Sequence, residues 1–262
     1  MRRLIVSGAI ALAALVAGTG AVVLAAGTEV HPKHQHWHFQ GPFGTYDRAA
    51  AQRGYQIYAE VCSACHSLSL LAYRNLMEIG LTENQVKGLI KDIVIPDLND
   101  DGQPIERPAR LSDRFKKPFP NDLAAAAANN GKAPPDLSVI VKAREGGADY
   151  IYALLTGYVP YDKLKPEQIK EFSIGKDDNF NTYFPGHRIA MAPPLADDKV
   201  TYADGTKATL DREASDVTEF LAWASEPWME DRKRTGVRVI LFLLALAGLM
   251  YAVKRQVWAD KH

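Results

Sequence analysis

The chain has 262 residues, 47% of them hydrophobic, enough for one large domain or two small ones with a proper core. Charges balance at 31 Lys and Arg against 31 Asp and Glu, and the two cysteines are too few for a disulfide-stapled scaffold or a four-cysteine zinc site. The neutral total hides an asymmetry: residues 28–231 hold 22 Lys and Arg against 30 Asp and Glu, a net of −8, while both ends are basic and apolar. That pattern suits an acidic globule tethered to a membrane and meeting basic partners; no nucleic-acid partner is expected.

Met1-Arg2-Arg3, then a long Ala-, Gly- and Val-rich run to Ala26 and Gly27, reads as an export signal over residues 1–27, with an uncleaved anchor as the alternative. The mature chain opens with His31, His34, His36 and His38, which suit either a metal or a mobile polar arm pinned by Trp37 and Phe39. Asp47 to Val61 reads as a helix, capped by Asp47, with Ala50, Gly54, Ile57, Tyr58 and Val61 on one face. Gly54 costs a helix about 1 kcal/mol against alanine, and close approach of another helix would account for it.

That helix runs into Cys62-Ser63-Ala64-Cys65-His66. C-x-x-C-H is the pattern of covalent haem attachment: both thiols bond to the ring and the histidine becomes an axial iron ligand. A thioredoxin-like C-x-x-C would end a strand and open a helix, whereas this one follows a helix.

Further on, Tyr73 to Gly80 and Glu83 to Val94 read as short helices, and residues 95–121, with five prolines, as a loop. Asp122 to Ala128 is an Ala-rich helix stopped by Asn129-Asn130-Gly131. Pro134-Pro135-Asp136-Leu137-Ser138 is a turn in which Asp136 or Ser138 is available to cap the next segment. Asp149 to Tyr158 reads as a helix ending at Gly157, Pro160 to Pro185 as a polar connection, and Val200 to Ala208 as a small hairpin turning at Asp204-Gly205. A last soluble helix spans Asp211 to Ser225, with Ala214, Val217, Phe220, Leu221 and Ala224 on one stripe, and Pro227 ends it. Gly236 to Val253, between basic clusters, is long enough for one membrane span of about 27 Å, with Arg238 snorkelling outward. The expected organisation is a signal at 1–27, a periplasmic haem domain at 28–231, an anchor with basic flanks at 232–255 and a cytoplasmic tail at 256–262.

Iron needs a second axial ligand. Of the five methionines, Met1 belongs to the signal, Met77 follows His66 too closely, Met229 abuts the membrane and Met250 lies inside it. Met191, in a Pro-rich loop, remains; its thioether is a soft donor that raises the potential. His187 is the rival.

Ordered motifs then resemble the cytochrome c1 family: Trp37-His38-Phe39 with Gly41 to Asp47, Arg53-Gly54-Tyr55, Val61 to His66, Asn129-Asn130-Gly131 and Pro134 to Ser138. Ala143-Arg144, Asp149 to Tyr152, Leu155 to Tyr158, Tyr183 to Gly186, Ile189 to Pro194, Asp204 to Thr206 and Trp223 to Pro227 continue the match into the tail anchor. The resemblance implies an all-α, cytochrome-c-like haem domain with long loop insertions and one C-terminal transmembrane helix in a bacterial inner membrane. It implies one covalent haem c held by Cys62, Cys65, His66 and Met191, with Pro135 packing on the ring and Arg144 and Tyr150 beside a propionate. Its partners would be cytochrome b, the Rieske iron–sulfur protein and a soluble or tethered cytochrome c, within the cytochrome bc1 complex. The chain would relay electrons without bond-making chemistry of its own. Two other readings are a tethered monohaem cytochrome feeding an oxidase or dehydrogenase, and a membrane-anchored thiol oxidoreductase using Cys62 and Cys65.

Overall fold

The computed structural model describes residues 30–259; the expected signal segment lies outside them, as do the last three residues. From His31 onward the chain forms one unit. Helix α1 (Arg48–Glu60) starts where Asp47 caps it, the carboxylate accepting from Ala50 N at 3.1 Å. A short 3-10 turn at Cys62–Ala64 follows, then a 3-10 helix at Tyr73–Ile79. Thr82 and Gln85 form a capping box for α2 (Glu83–Ile90). Strands β1 (Val94–Leu98) and β2 (Pro104–Pro108) pair antiparallel, and α3 (Asp122–Ala128) begins at an Asn121 cap. Helix α4 (Gly147–Thr156), β3 (Tyr158–Val159), α5 (Pro166–Glu171), β4 (Asn179–Asn181) and β5 (Arg188–Ile189) come next, before α6 (Leu210–Ser225) and α7 (Met229–Trp258).

Helices dominate, as expected. The core sits where α1 crosses α6, with α4 also packed on α6. Ala51 and Tyr55 are buried along with Ala50, Gly54, Ile57 and Tyr58 of the expected face, Val61 only partly, because aromatic rings close over α1 from two directions. Tyr55 and Tyr58 both lie near Phe220, at 5.7 and 5.9 Å between centroids, and near Phe115, at 6.2 and 6.0 Å. Gly54 is where the helices meet: a Cβ there would fall 2.0 Å from Asp216 O and 2.7 Å from Phe220 Cβ. Polar groups lock the crossing. Arg53 donates Nε and Nη2 to the two oxygens of fully buried Asp216 at 2.7 and 3.0 Å, and Asp47 N donates to Glu219 Oε1 at 2.9 Å. Burial pushes the Glu219 carboxyl up to about 7, against the pull of that amide.

Several local expectations are corrected. The helix from Glu83 stops at Ile90, and the proline-rich stretch after it holds the β1–β2 hairpin. Proline survives there because each strand of a two-stranded sheet has a free edge. The connection after Pro160 is also structured, as the antiparallel sheet β3-β4-β5 and α5 around a small core of Leu164, Ile174 and Phe180. Asp204-Gly205 makes the expected turn, with Asp204 accepting from Thr206 N at 2.9 Å, but no strands flank it.

Pro227 breaks the chain between α6 and α7, and α7 then runs uninterrupted to Trp258. It is long and apolar enough to cross a membrane, and none of its most apolar stretch is buried by the rest of the chain. Its first turns are fastened to the globule. Tyr46 N and Arg48 Nη2 donate to the Glu230 carboxylate, each at 2.8 Å, and Lys233 Nζ donates to Phe39 O at 2.6 Å and Gly44 O at 3.1 Å.

The contact at Gly54 predicts a pair of opposite effects. Gly54→Ala must separate α1 from α6 and should destabilise the protein by about 1–3 kcal/mol or more. Gly88→Ala, in α2 with open space around it, should stabilise by about 0.5–1 kcal/mol. Denaturant unfolding of both variants in detergent checks the two signs.

Candidate functional site

The end of α1 presents the C-x-x-C-H segment. Val61 N still donates to Ile57 O, and the chain then tightens so that both Cys65 N and His66 N donate to Cys62 O, at 3.1 and 2.8 Å. This compact turn sets the two cysteines and the histidine on one short stretch of backbone. Burial, with Cys65 adding to it, pushes the Cys62 thiol up to about 12. A thiol-exchange site needs an accessible thiolate, favoured by a helix N-terminus. Cys62 sits instead after a helix C-terminus, where the partial charge is negative and opposes a thiolate.

His66 is oriented from 69 residues away. Its Nδ1 lies 2.8 Å from Pro135 O, and a carbonyl only accepts, so Nδ1 carries the proton and Nε2 keeps its lone pair. Burial holds the imidazole below its ordinary value, against the opposing pull of the Pro135 carbonyl and Asp136. A neutral, pre-oriented imidazole whose other nitrogen is spent on a carbonyl is the arrangement of a metal-ligating histidine. Two cysteines three residues apart and such an imidazole fit a haem c.

No helix follows directly, but Asp136 does cap the turn that follows it, and it also reaches back along the chain. Asp136 accepts from Ser67 Oγ at 2.7 Å, Ser69 N at 2.9 Å and Ser138 N at 2.8 Å, while Ser138 Oγ accepts from Leu70 N at 3.1 Å. They clamp the stretch of chain after His66 onto the turn that carries Pro135. Burial alone would raise the Asp136 carboxyl; the hydrogen bonds from Ser138, Ser69 and Ser67 outweigh it and hold the group well below the usual carboxylate range. Tyr58, from α1, adds a bond to His66 O at 3.1 Å. Neither support was foreseen from the residues alone. The only local signal is Ser67-Leu68-Ser69, whose polar groups flank a fully buried leucine and need an acceptor.

Met191 belongs to a second set. Tyr158 donates its hydroxyl to Met191 O at 3.1 Å, and burial raises the Tyr158 phenol, with Tyr150 adding to the effect from close by. Tyr158, Tyr150 and the Met191 loop are therefore neighbours. Arg144 is exposed, its Nη1 donating to Ala143 O at 3.1 Å. His187 takes a left-handed backbone conformation with its ring between Phe172 and Phe180, centroids 4.3 and 5.3 Å away, and its Nδ1 3.1 Å from Asn181 O.

The N-terminal arm is held rather than loose. Asp149, in the first turn of α4, accepts from Trp37 Nε1 at 2.7 Å, from Gln35 N at 3.0 Å and from His34 Nδ1 at 2.7 Å, and Trp37 stacks on Phe39. Among the described residues no three His, Cys, Asp or Glu side chains are grouped to hold a metal ion.

The clamp predicts a pH-dependent stability. Asp136→Asn turns a hydrogen-bond acceptor into a donor facing donors, and should cost about 2 kcal/mol after allowance for partial exposure. Because the folded carboxyl lies below its unfolded value near 3.9, the stability it contributes is present above about pH 4 and is lost as pH falls further. The gap between parent and variant should stay constant from pH 8 to 5 and close in acid; equal unfolding curves at pH 7 would remove the clamp from the account.

Comparison with known proteins agrees with the motif order. The model of the "Cytochrome C1 family" matches residues 37–261. Cytochrome c1 of Rhodospirillum rubrum is 44% identical over 98% of this chain and 99% of its own length. The mitochondrial cytochrome c1 haem protein of Saccharomyces cerevisiae is 45% identical over 92% of this chain and 76% of its own. A protein of Bradyrhizobium diazoefficiens named cytochrome b/c1 is 46% identical over 88% of this chain, which spans 36% of that longer polypeptide. The chain belongs to the cytochrome c1 family.

Proposed function

We propose that this chain is the haem-bearing, membrane-anchored electron carrier of a cytochrome bc1 complex, taking an electron from the Rieske iron–sulfur protein and passing it to a soluble or tethered cytochrome c. The observation that carries the reading is the His66 imidazole, neutral, with Nδ1 bound to Pro135 O and Nε2 left with a lone pair, at the end of the Cys62-Ser63-Ala64-Cys65 turn. When bound, haem c supplies one-electron chemistry, cycling between ferric and ferrous iron. The chain supplies everything that tunes it. Cys62 and Cys65 would hold the haem through thioethers, His66 and Met191 would ligate its iron, and Pro135, on the carbonyl side of the histidine, would pack against the ring. Arg144 and Tyr150 would stand beside a propionate, the arginine offering a charge-assisted bond.

The names of relatives support the assembly: the Bradyrhizobium protein joins b and c1 in one chain, and a relative in Candida albicans is called a catalytic subunit of the cytochrome b-c1 complex. Cytochrome b is accordingly the proposed membrane partner of α7. Residues 1–27 act as the export signal, 28–231 form the periplasmic domain, 232–255 the anchor and 256–262 the cytoplasmic tail. The −8 charge of residues 28–231 favours encounter with a basic cytochrome.

Met191→Leu tests the axial assignment. The swap preserves volume, so stability should change by less than about 1.5 kcal/mol, while the sulfur donor disappears. The variant should keep its covalent haem, lose the sulfur-to-iron charge-transfer band, drop in potential and cease to turn over in the complex. An unchanged band and potential would exclude Met191.

A further inference from the structure

The turn Gly41–Gly44 is a motif that the site does not use. Its backbone is tightly set: Gln40 N donates to Trp37 O at 3.1 Å and Thr45 N to His38 O at 3.0 Å, with Gly41 in the left-handed region at φ +74°. A Cβ on Gly44 would meet Gln40 O at 2.0 Å. This rigid turn displays Phe43 at 80% exposure. An exposed phenylalanine alone signifies little. What distinguishes Phe43 is its fixed level along α7. Lys233 Nζ is bound to Phe39 O and Gly44 O, on either side of the turn. Lys233 lies only three residues, about 4.5 Å of helix rise, before the apolar run that opens at Gly236. The polar layer on each side of a bilayer is about 5–7 Å thick. With α7 spanning the membrane, the backbone at both feet of the turn is held within one lysine side chain of the phospholipid headgroup level.

We propose that the Gly41–Gly44 turn is a second membrane contact, with Phe43 seated in the phospholipid interface beside α7. The occupant follows from the level of the turn and from its chemistry: Gly, Pro and Phe at the tip carry no charge to draw a charged protein, and an apolar ring suits the glycerol–acyl boundary. The contact has a consequence for the haem segment. Asp47 starts α1 three residues after Gly44, and α1 ends at the cysteines, so a turn resting on the lipid surface fixes the tilt of the helix that carries them.

The test uses the full-length, haem-loaded chain in its native membrane. Phe43→p-benzoylphenylalanine and, separately, Phe242→p-benzoylphenylalanine are irradiated, and the peptide carrying each position is weighed. Position 242 lies within the apolar run, and a phospholipid adduct there reports that α7 spans. The inference expects position 43 to gain the mass of one phospholipid as well. A lipid adduct at 242 with a protein cross-link or no adduct at 43 overturns the contact while leaving the anchor standing. No lipid adduct at 242 overturns both. Both replaced side chains are exposed, and an unchanged haem spectrum reports that each variant has folded.

Discussion

Two helix backbones can approach this closely only where one of them lacks a Cβ, and Gly54 supplies that place against the Asp216 carbonyl and Phe220. With the backbones so close, the polar groups at the crossing lose water and must satisfy one another. Arg53 closes on both oxygens of Asp216, Glu219 takes the amide of Asp47, and Tyr46 bonds to the carbonyls of Ala222 and Glu226 at the far end of α6. A buried pair of this kind is weak evidence for stability; its effect is to allow one register of α1 on α6. That register decides where α1 ends, and with it where Cys62, Cys65 and His66 stand. It also ties the start of α1 to Glu230 at the foot of α7, so the segment expected to carry the haem and the membrane helix are positioned by a single packed unit.

At the site, the chain solves an electrostatic problem before any cofactor is considered. A histidine that is to donate a lone pair must be neutral and must not be free to rotate. Burial accomplishes the first, and the Pro135 carbonyl the second. Asp136 then holds the Pro135 turn against the backbone beyond His66, using a carboxylate stabilised by three donors. The same burial pushes the Cys62 thiol away from the thiolate form, which separates this pair from redox-exchange cysteines.

Much of this was legible in the residues. The bounds of α1, α3 and α6 follow from an N-cap or a stop residue combined with helical periodicity, whereas α4 starts two residues before the expected Asp149, at a Gly146 that offers no side-chain cap; the close approach at Gly54 could be inferred from a glycine inside an otherwise good helix. The small sheets were not legible: strands of two or three residues show no alternation, and Pro96, Pro104 and Pro108 argue against a strand unless both its partners are known to be edges. The Asp136 clamp spans 67 to 69 residues, a pairing that no local pattern encodes. Met191 was reached by elimination and by resemblance, because a ligand in a loop has no period to betray it; only its Tyr158 anchor is a structural addition.

The central claim is that Cys62, Cys65 and His66 hold a haem c, and covalent attachment tests it most directly. The purified membrane protein is extracted with acid acetone and digested, and the peptide containing Cys62 to His66 is weighed after treatment with a thiol-alkylating reagent. The account predicts that haem stays with the polypeptide and that the peptide carries one haem with neither cysteine alkylated. Haem released into the solvent, with both cysteines alkylated, would contradict it.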